Sequence, residues 1–572
     1  MKAGKAAVLG FTILLMALAA RMWKSELLWS WHEQPLISVC LEADGGEETI
    51  GCWQAGEEEY YVFLPSPDVL ENARLQSRPG ATVYLDDEIL SRNEVRQNLV
   101  YNFPYTIEAT ENGREISGTV TFLYSEKIPS LFLDTASGSM EYIHQEKDNQ
   151  EPGTMRLYQA DGTLDYQGSL EQINGRGNVT WTDLEKKPYN LSLTMAADLL
   201  GMGQGENWVL LANGFDATNL RNKIVLDFSQ KVCKTFTPQS QWVNLYLNGE
   251  YAGLYLLCQR IEIHPDKVDI PQKGSFLLST DFGFRLEEWE KSFFYTSCGV
   301  AMRIRHSGMD QWQMEDIWNA AERAIMAPDG VDPVTGQSWE ALIDVDSWAR
   351  KLLIEEVFGN LDGGFVSQYF YLDGADTQRG IVAGPVWDYD ITMGNPANSA
   401  ISCPEQLQTL RRFFFSAKDT SWFYHLYQKP EFAELVCQLY AEEFRPLLTI
   451  LFDTEVEEYA ACVRSAANMN EIRWRGTMTR TFDQGVEELL SFMEQRLTFL
   501  DSLWIDHETY FLVEALGMNA SVCFAVKTGE TLQMLKKEET ESRKWYHMDT
   551  DTPFDVTEPI WEDGVIVLKT IS

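Results

Sequence analysis

The stretch Gly384-Pro-Val-Trp-Asp-Tyr-Asp-Ile-Thr-Met-Gly-Asn395 places two acids, Asp388 and Asp390, two residues apart just after a predicted strand. Gly384-Pro385 ends that strand, because proline cannot donate a hydrogen bond to a sheet ladder. Mg²⁺ takes only one or two protein carboxylates and completes its shell with water and phosphate oxygens. A short acidic loop on a rigid scaffold is therefore enough for a magnesium site. We favour Asp388 as the principal ligand, with help from Asp390.

The residues before this loop predict a helix, a loop and a hairpin. Apolar residues recur at helical spacing over 345–357, and Gly359 is a suitable C-terminal stop. Asn360 and Asp362 follow in a loop, and residues 368–383 read as a short hairpin. This order resembles the catalytic half of a protein kinase, where the first acid handles the attacking hydroxyl and the second holds the metal. The layout predicts Asp362, with Asn360, as the catalytic group.

A glycine-containing loop lies further upstream, between strands predicted at 169–173 and 189–193. The loop, Asn174–Thr180, could bring backbone N–H groups against phosphates, together with Arg176 and Lys187. A single Gly-x-Gly pattern is weak, since an ordinary turn is the better explanation when nothing else is present. The neighbouring basic residues favour the phosphate interpretation.

The clearest hairpin spans residues 242–257, because Asn248-Gly249 is the favoured two-residue turn between strands. In a protein kinase the adenine-binding hinge comes directly after such a strand. We therefore predict that the backbone contacts adenine at Cys258, Gln259 and Arg260.

A helix is predicted between these two hairpins, with Asp216 or Thr218 as its cap. It occupies the place of the kinase helix that carries a lysine-pairing acid. Asp227 on this helix is one candidate partner for Lys187, and Glu262 is another. The sequence does not decide between them.

Many ordered motifs make the sequence resemble one family, the CotH (spore-coat protein H) kinases, which are atypical secreted protein kinases. The resemblance covers roughly residues 130–505, and a long ordered set is far more specific than any one motif. Besides the segments above, the motifs are Gly175-Arg-Gly-Asn178 with Trp181, Lys186-Lys-Pro-Tyr189, Leu199-Leu-Gly-Met202, Trp208-Val-Leu-Leu-Ala-Asn213, Leu220-Arg-Asn-Lys223, Leu245-Tyr-Leu-Asn-Gly249 and Gly253-Leu-Tyr-Leu-Leu257.

The resemblance implies an α+β fold with an atypical protein-kinase-like core that uses ATP and Mg²⁺. It also implies a functional role for Arg221. One departure concerns the position five residues after Asp362, where many kinases and several family members have an asparagine that contacts a second metal. Here it is Ser367, followed by Gln368. Ser367 could still coordinate, but the change leaves a weakly active or inactive variant open.

The net charge of −40 argues against a nucleic-acid ligand and an anionic membrane surface. A basic or Ser/Thr-rich protein substrate fits better. The nine cysteines include no C-x-x-C pair, which excludes the usual zinc-ribbon spacing. Cys40 and Cys52 are candidates for a bridge between neighbouring strands.

The N-terminus predicts export. Lys2 and Lys5 precede an apolar stretch from Ala6 to Ala20, and Ala17-Leu-Ala19 offers a small-x-small cleavage pattern. The aromatic segment beyond it also suits an uncleaved N-terminal membrane anchor. We expect residues 1–34 to be a signal peptide or an anchor, and the protein to be extracellular or at the cell surface.

Three further regions are predicted. Residues 36–127 show short strand-like runs that suit a small β-sandwich, residues 128–505 hold the kinase motifs, and residues 508–572 form a small β-rich C-terminal module. The expected fold class is thus α+β, with a kinase-like core between small β domains.

The sequence favours an exported protein kinase that transfers the ATP γ-phosphate to Ser/Thr hydroxyls of a protein. The alternative is a non-catalytic, kinase-like protein for surface or spore-coat assembly or adhesion, since fold does not determine function. A metal-dependent hydrolase would require more converging acids or histidines than the chain offers.

Overall fold

The computed structural model describes residues 35–570, apart from 44–45, 67–73, 91–93, 96–98, 284, 287–291, 396–401, 413–420, 518–520 and 541. The predicted leader at 1–34 lies outside the described residues. The chain has a mixed α+β structure, as the sequence predicts. No helix among the described residues combines the length and apolar content needed to cross a bilayer.

Two sheets enclose the first apolar core. Their orders are β2-β1-β5-β8 and β3-β4-β10-β9-β6-β7. In chain order, β1 to β10 are Ile37–Ala43, Gly46–Gly51, Trp53–Gly56, Glu59–Leu64, Arg74–Ser77, Ala81–Leu85, Glu88–Ile89, Glu94–Val95, Pro104–Glu111 and Arg114–Tyr124. Burial alternates from residue to residue along β9, so that one face of this sheet packs inward and the other is exposed.

The Cys40–Cys52 bridge does not form in this structure, where all nine cysteines are free thiols. The reason is register: Cys40 on β1 lies opposite Thr49 on β2. The Cys52 sulfur instead accepts a hydrogen bond from the Ile37 N–H.

A closed barrel follows, with the order β11-β12-β13-β14-β15-β17-β16. Its strands, β11 to β17, are Ser130–Thr135, Gln150–Tyr158, Leu164–Gly175, Tyr189–Asp198, Gln204–Leu211, Ser240–Leu247 and Glu250–Gln259. Alternate residues fill the barrel interior, while Val209, Leu256 and Cys258 point outward into the main core. The predicted Asn248-Gly249 hairpin is confirmed as β16 and β17.

Helices surround the barrel and the sheet that follows it. Helices α1 to α11 are Glu141–Gln145, Val179–Asp183, Arg221–Val232, Gln311–Met326, Trp339–Leu342, Val345–Val357, Trp422–Tyr427, Pro430–Leu439, Arg445–Ile450, Val456–Arg473 and Phe482–Trp504. Two π-helical segments, Tyr440–Phe444 and Leu451–Glu455, join α8, α9 and α10 into one continuous helical run.

A five-stranded sheet of order β19-β20-β18-β21-β22 carries the predicted second hairpin, and a four-stranded sheet of order β24-β23-β26-β25 lies near the C-terminus. Strands β18 to β26 are Phe276–Thr280, Phe293–Tyr295, Ala301–Ser307, Tyr369–Leu372, Val382–Ala383, Tyr510–Leu516, Ser521–Lys527, Arg543–His547 and Gly564–Thr570. Helix α6 ends at Val357, and Gly359 has the positive φ of a C-terminal stop, as predicted.

Candidate functional site

The two acidic loops of the sequence come together beside the barrel. One loop follows α6 and carries Asp362, and the other follows β22 and carries Asp388 and Asp390. The Ser367 hydroxyl donates a hydrogen bond to Asp388 Oδ2 at 2.9 Å. Both residues have positive φ, 56° for Ser367 and 75° for Asp388, a conformation that few non-glycine residues adopt. Such strain is typical of functional loops.

The three acids repel one another because they share a partly buried space. Burial, with the nearby Asp388 charge, raises the pKa of Asp362 to about 6, while Arg411 and Arg285 oppose the shift. Burial and the charges of Asp388, Asp216 and Asp362 raise the pKa of Asp390 well above its ordinary value. A carboxyl with a pKa near neutrality suits a general base.

A buried carboxylate links the two acidic loops. Glu355, on α6, pairs with Lys351 at 2.7 Å and accepts a hydrogen bond from the Tyr389 hydroxyl at 2.6 Å. Its second oxygen accepts a bond from Asn360 Nδ2 at 2.6 Å. Asn360 Oδ1 in turn accepts the Asp362 N–H at 3.1 Å. Asn360 is fully buried, so it positions the Asp362 loop.

Helix α3 holds the second loop from the other side. Asn222 Oδ1 accepts the N–H of Tyr389, between the two acids, at 2.7 Å. Arg221 donates from Nε to the Thr392 carbonyl at 2.9 Å and from Nη2 to the Met393 carbonyl at 3.3 Å. The Arg221 guanidinium also pairs with buried Asp216. Arg221 thus holds the acidic loop against α3.

The predicted helix cap is partly correct. Helix α3 begins at Arg221 after Leu220, whose side chain cannot cap. Asp216 nevertheless accepts the Arg221 N–H at 3.0 Å, so its carboxylate satisfies the first helical donor.

Of the two basic residues predicted near the glycine-containing loop, Arg176 is the one that reaches the acidic group. Its guanidinium lies 5.4 Å from the centre of the Trp387 ring and within electrostatic range of Asp388 and Arg260. Its buried Nε has no hydrogen-bond partner among the described residues. Arg260 is exposed, just beyond β17. These two arginines leave positive charge available beside the acids.

The other residues of the predicted nucleotide site have structural partners. Cys258 is buried on β17, with its thiol near the Leu256 carbonyl. The Gln259 side chain donates a hydrogen bond to the Met202 carbonyl and accepts one from the Gln239 N–H. The backbone is also engaged here, because Cys258 pairs with Val209 on β15 and with Ser240 on β16, and the Gln259 N–H donates to the Gln239 carbonyl. Of the three predicted hinge positions, only Arg260 lies beyond the barrel strands.

Lys187 is not brought to the acidic group. Its ammonium donates to the Trp181 carbonyl at 2.5 Å. It pairs with neither candidate acid: Asp227 pairs with Lys223 at 2.8 Å, and Glu262 pairs with Lys267 at 2.5 Å. The open choice between Asp227 and Glu262 is thereby answered, since neither is the partner of Lys187 in this structure.

A row of half-buried polar side chains on the outer face of the barrel was missed from the sequence. Ser192 on β14 donates to Asn207 on β15 at 2.8 Å, and Asn207 donates to Glu262 at 3.0 Å. Asn174 and Asn190 lie opposite each other in the adjacent row. The alternation of apolar and polar residues along β13, β14 and β15 indicates that such a polar face exists. Only the register of the barrel strands shows that this face lies next to Arg176.

Neither Glu355 nor Asn222 was singled out by the sequence patterns, although both hold the acidic loops. Asn222 does stand within the quoted Leu220-Arg-Asn-Lys223 motif, next to Arg221. Glu355 lies three residues after Leu352 on a helix whose apolar spacing drew attention only to its core face. The signal available in the sequence is an acidic residue within the apolar helical stretch, just before the Asp362 loop.

The comparison with protein families gives a match. The family described as CotH kinase protein matches residues 173–500, more than half of the chain. The chain therefore belongs to the CotH kinase family. A search of curated proteins gave no match.

The acidic group fits a hard cation better than a soft one. Neither Asp388 nor Asp390 forms an ion pair with a basic side chain in the described ranges, although Arg176 lies within electrostatic range of Asp388. No group of three or more His, Cys, Asp or Glu side chains with metal-binding geometry occurs among the described residues. Mg²⁺ needs only one or two carboxylates, whereas a closed zinc site needs four ligands.

Proposed function

We propose that this protein is an exported, Mg²⁺-dependent protein kinase that transfers the ATP γ-phosphate to Ser or Thr hydroxyls of a protein. Family membership supports the kinase assignment at a general level. The observation that carries the proposal is the convergence of Asp362, Asp388 and Asp390 beside Arg176. The barrel then corresponds to the nucleotide-binding lobe, and α6 with the five-stranded sheet to the catalytic lobe.

Asp362 orients the acceptor hydroxyl and takes its proton. The hydroxyl oxygen bonds to the γ-phosphorus, the bond from that phosphorus to the β,γ-bridging oxygen breaks, and ADP leaves with that electron pair. Arg176 and Arg260 balance the phosphate charge. Asp388 and Asp390, with Ser367 beside them, would hold Mg²⁺, which when bound neutralises negative charge on the phosphates.

The substrate and location belong to the same proposal. A net charge of −40 favours a basic protein acceptor, since long-range attraction increases the rate of encounter. The basic and apolar N-terminal segment supports export, by a signal peptide or a retained anchor. Residues 36–127 and 508–572 would be β domains on either side of the kinase core at 128–505.

The test is transfer of labelled phosphate from ATP to a basic Ser/Thr-containing protein by the purified chain with Mg²⁺. Asp362→Asn and Asp388→Asn are expected to reduce transfer at least about 100-fold, because each removes a group that acts on the reacting atoms. Asp373→Asn is the matched control, since asparagine can keep the bond that Asp373 accepts from the Ala375 N–H. Full transfer by both site variants would contradict the mechanism.

A second function is favoured by Ser367, which replaces the expected asparagine. In that case the protein is a non-catalytic assembly or adhesion protein that keeps the kinase fold. Stabilisation by ATP and Mg²⁺ without transfer to any acceptor would support it, because a ligand that binds only the native state raises stability.

A further inference from the structure

A second site lies away from the acidic group, where the end of α10 and the start of α11 meet the barrel. It is a cavity of about 270 Å³. Its walls come from the β13–β14 connection, the β15–α3 connection and residues 470–484. Asp362, Asp388, Asp390 and Arg176 are not among its lining residues. The cavity is therefore separate from the proposed phosphotransfer site.

Three side chains form the floor by docking on the backbone of β17 around Gly253. Gly253 has φ of 119°, and a Cβ there would lie 2.6 Å from Asn470 Oδ1 and 2.8 Å from Trp474 Nε1. Glycine is thus required for this close approach. The bonds run from Lys186 Nζ to the Leu254 carbonyl at 2.6 Å, from the Leu254 N–H to Asn470 Oδ1 at 3.1 Å, and from Trp474 Nε1 to the Ala252 carbonyl at 2.9 Å.

Lys186 is the buried basic group of this floor: burial lowers the pKa of its ammonium well below the ordinary value, and the charge of Asp216 opposes that shift. Lys186 is 5% exposed, its ammonium lies 4.7 Å from the centre of the Tyr255 ring, and it forms no ion pair within the described part of the chain. The arginines of the lining are already neutralised, Arg475 by Glu59 and Arg480 by Glu488. An ammonium has three N–H donors, and only one is used here by a protein acceptor.

One residue that lines the same cavity carries an unused acceptor. Asn219 is 2% exposed, and its Oδ1 has no hydrogen-bond partner among the described residues. The acidic residues that line the cavity do not take the place of a bound anion, because Glu185 is exposed and Glu471 accepts a hydrogen bond from the Phe482 N–H. A buried donor without an acceptor and a buried acceptor without a donor each cost free energy.

We propose that this cavity binds a small phosphate, either free phosphate or a hydroxylated phosphate ester. One phosphate oxygen accepts from Lys186 Nζ, and a hydroxyl of the ligand donates to Asn219 Oδ1. The volume suits a ligand smaller than the 300–1,000 Å³ pockets that hold drug-sized molecules. In a chain of net charge −40, binding of an anion requires such a local cation.

The test is calorimetric titration of the full chain at pH 7 with inorganic phosphate, glycerol 3-phosphate and sulfate. Phosphate or its ester is expected to bind saturably, and sulfate about tenfold more weakly, because sulfate has no O–H to donate to Asn219. Preference for the ester over free phosphate identifies the organic ligand class. Absence of saturable binding by both, or equal binding of sulfate, would overturn the proposal.

Two variants and two controls locate the binding. Lys186→Met keeps the side-chain length and is expected to abolish binding, and Asn219→Asp, which retains a residue that tolerates positive φ, is expected to do the same by repulsion. Lys187→Met should bind normally, because Lys187 points to Trp181. Asp388→Asn should also bind normally. Loss in Asp388→Asn with retention in folded Lys186→Met would place phosphate at the other site and refute the proposal.

Discussion

The acidic group and the Lys186 cavity are opposite in charge and alike in physical character. In the first, buried or half-buried carboxylates lie together, and within the described residues neither Asp388 nor Asp390 has a basic side chain at ion-pair distance. In the second, the buried Lys186 amine lies among carbonyl and ring partners, within electrostatic range of Asp216 but without an ion pair in the described part of the chain. Buried charge is costly unless it is paired. The sign of the missing charge therefore indicates the ligand, a cation for the acids and an anion for Lys186.

The two regions differ in how their charged groups are held. The acids stand on loops that are fastened by side chains from α6 and α3, through Glu355, Asn222 and Arg221. Lys186 is fastened to a strand backbone at Gly253. The loops can therefore be loosened by a single buried change on a helix, whereas the cavity floor is held by three side chains that bond to the β17 backbone.

The largest expected effect comes from breaking the buried link between the acidic loops. Glu355→Gln removes the carboxylate that pairs with the buried Lys351, which then keeps only the Tyr389 hydroxyl as a neutral acceptor. It also places an amide N–H₂ where the carboxylate accepts hydrogen bonds. We expect the free energy of unfolding to fall by about 3–5 kcal/mol, the usual cost of removing one member of a buried ion pair. Denaturant unfolding measures it.

The matched control for this change is Glu455→Gln, which breaks the more exposed 2.6 Å pair with Lys231. Its expected cost is about 0–1 kcal/mol. Equal losses in the two variants would mean that the Lys351–Glu355 pair does not support the acidic loops more than an ordinary surface pair does. Phosphate binding at the Lys186 cavity should survive in any Glu355→Gln protein that remains folded.

A smaller effect of opposite sign is expected from Asp390→Asn. Burial raises the folded-state pKa of Asp390 above its unfolded value, so this carboxyl destabilises the fold increasingly as pH rises above about 4. Neutral asparagine removes that penalty. We expect a gain on the order of 1–3 kcal/mol at pH 7 without Mg²⁺, together with a flatter dependence of stability on pH.

The same variant should lose the stabilisation that Mg²⁺ and ATP give to the unaltered chain, because the cation then gains one fewer carboxylate. Thermal unfolding at pH 5 and pH 7, with and without Mg²⁺ and ATP, measures both effects. A destabilised Asp390→Asn protein at pH 7 would show that the carboxylate is compensated in the fold, and would remove the parallel with Lys186.

Short sequence patterns, each confined to one element of structure, predicted much of the fold. The Asn248-Gly249 turn gives β16 and β17, and apolar spacing with Gly359 gives α6 and its end. The acids at 362, 388 and 390 follow from the order of these elements. Each of these signals lies within about a dozen residues of the structure that it predicts.

The remainder depends on contacts between distant residues. Lys186 and Lys187 are adjacent in the sequence, yet one faces a cavity and the other faces Trp181. Their directions depend on the register of β14 at Tyr189 and on closure of the barrel, which no local pattern specifies. The contact between Asn222 and Tyr389 joins residues 167 positions apart. Sequence patterns therefore found the acids but not the groups that hold them.

The smallest expected effect concerns the residue that separates this chain from the usual kinase pattern. Ser367→Asn restores an amide five residues after Asp362, and asparagine tolerates the φ of 56° found there. The amide can replace the hydroxyl as donor to Asp388 and offers an oxygen to a cation. We expect the Mg²⁺ concentration needed for half-maximal stabilisation by ATP to fall roughly threefold, a change of about 0.6 kcal/mol. Ser367→Ala, which can do neither, should raise that concentration. If all three proteins respond equally to Mg²⁺, then position 367 lies outside the cation site, and the acids alone bind the metal.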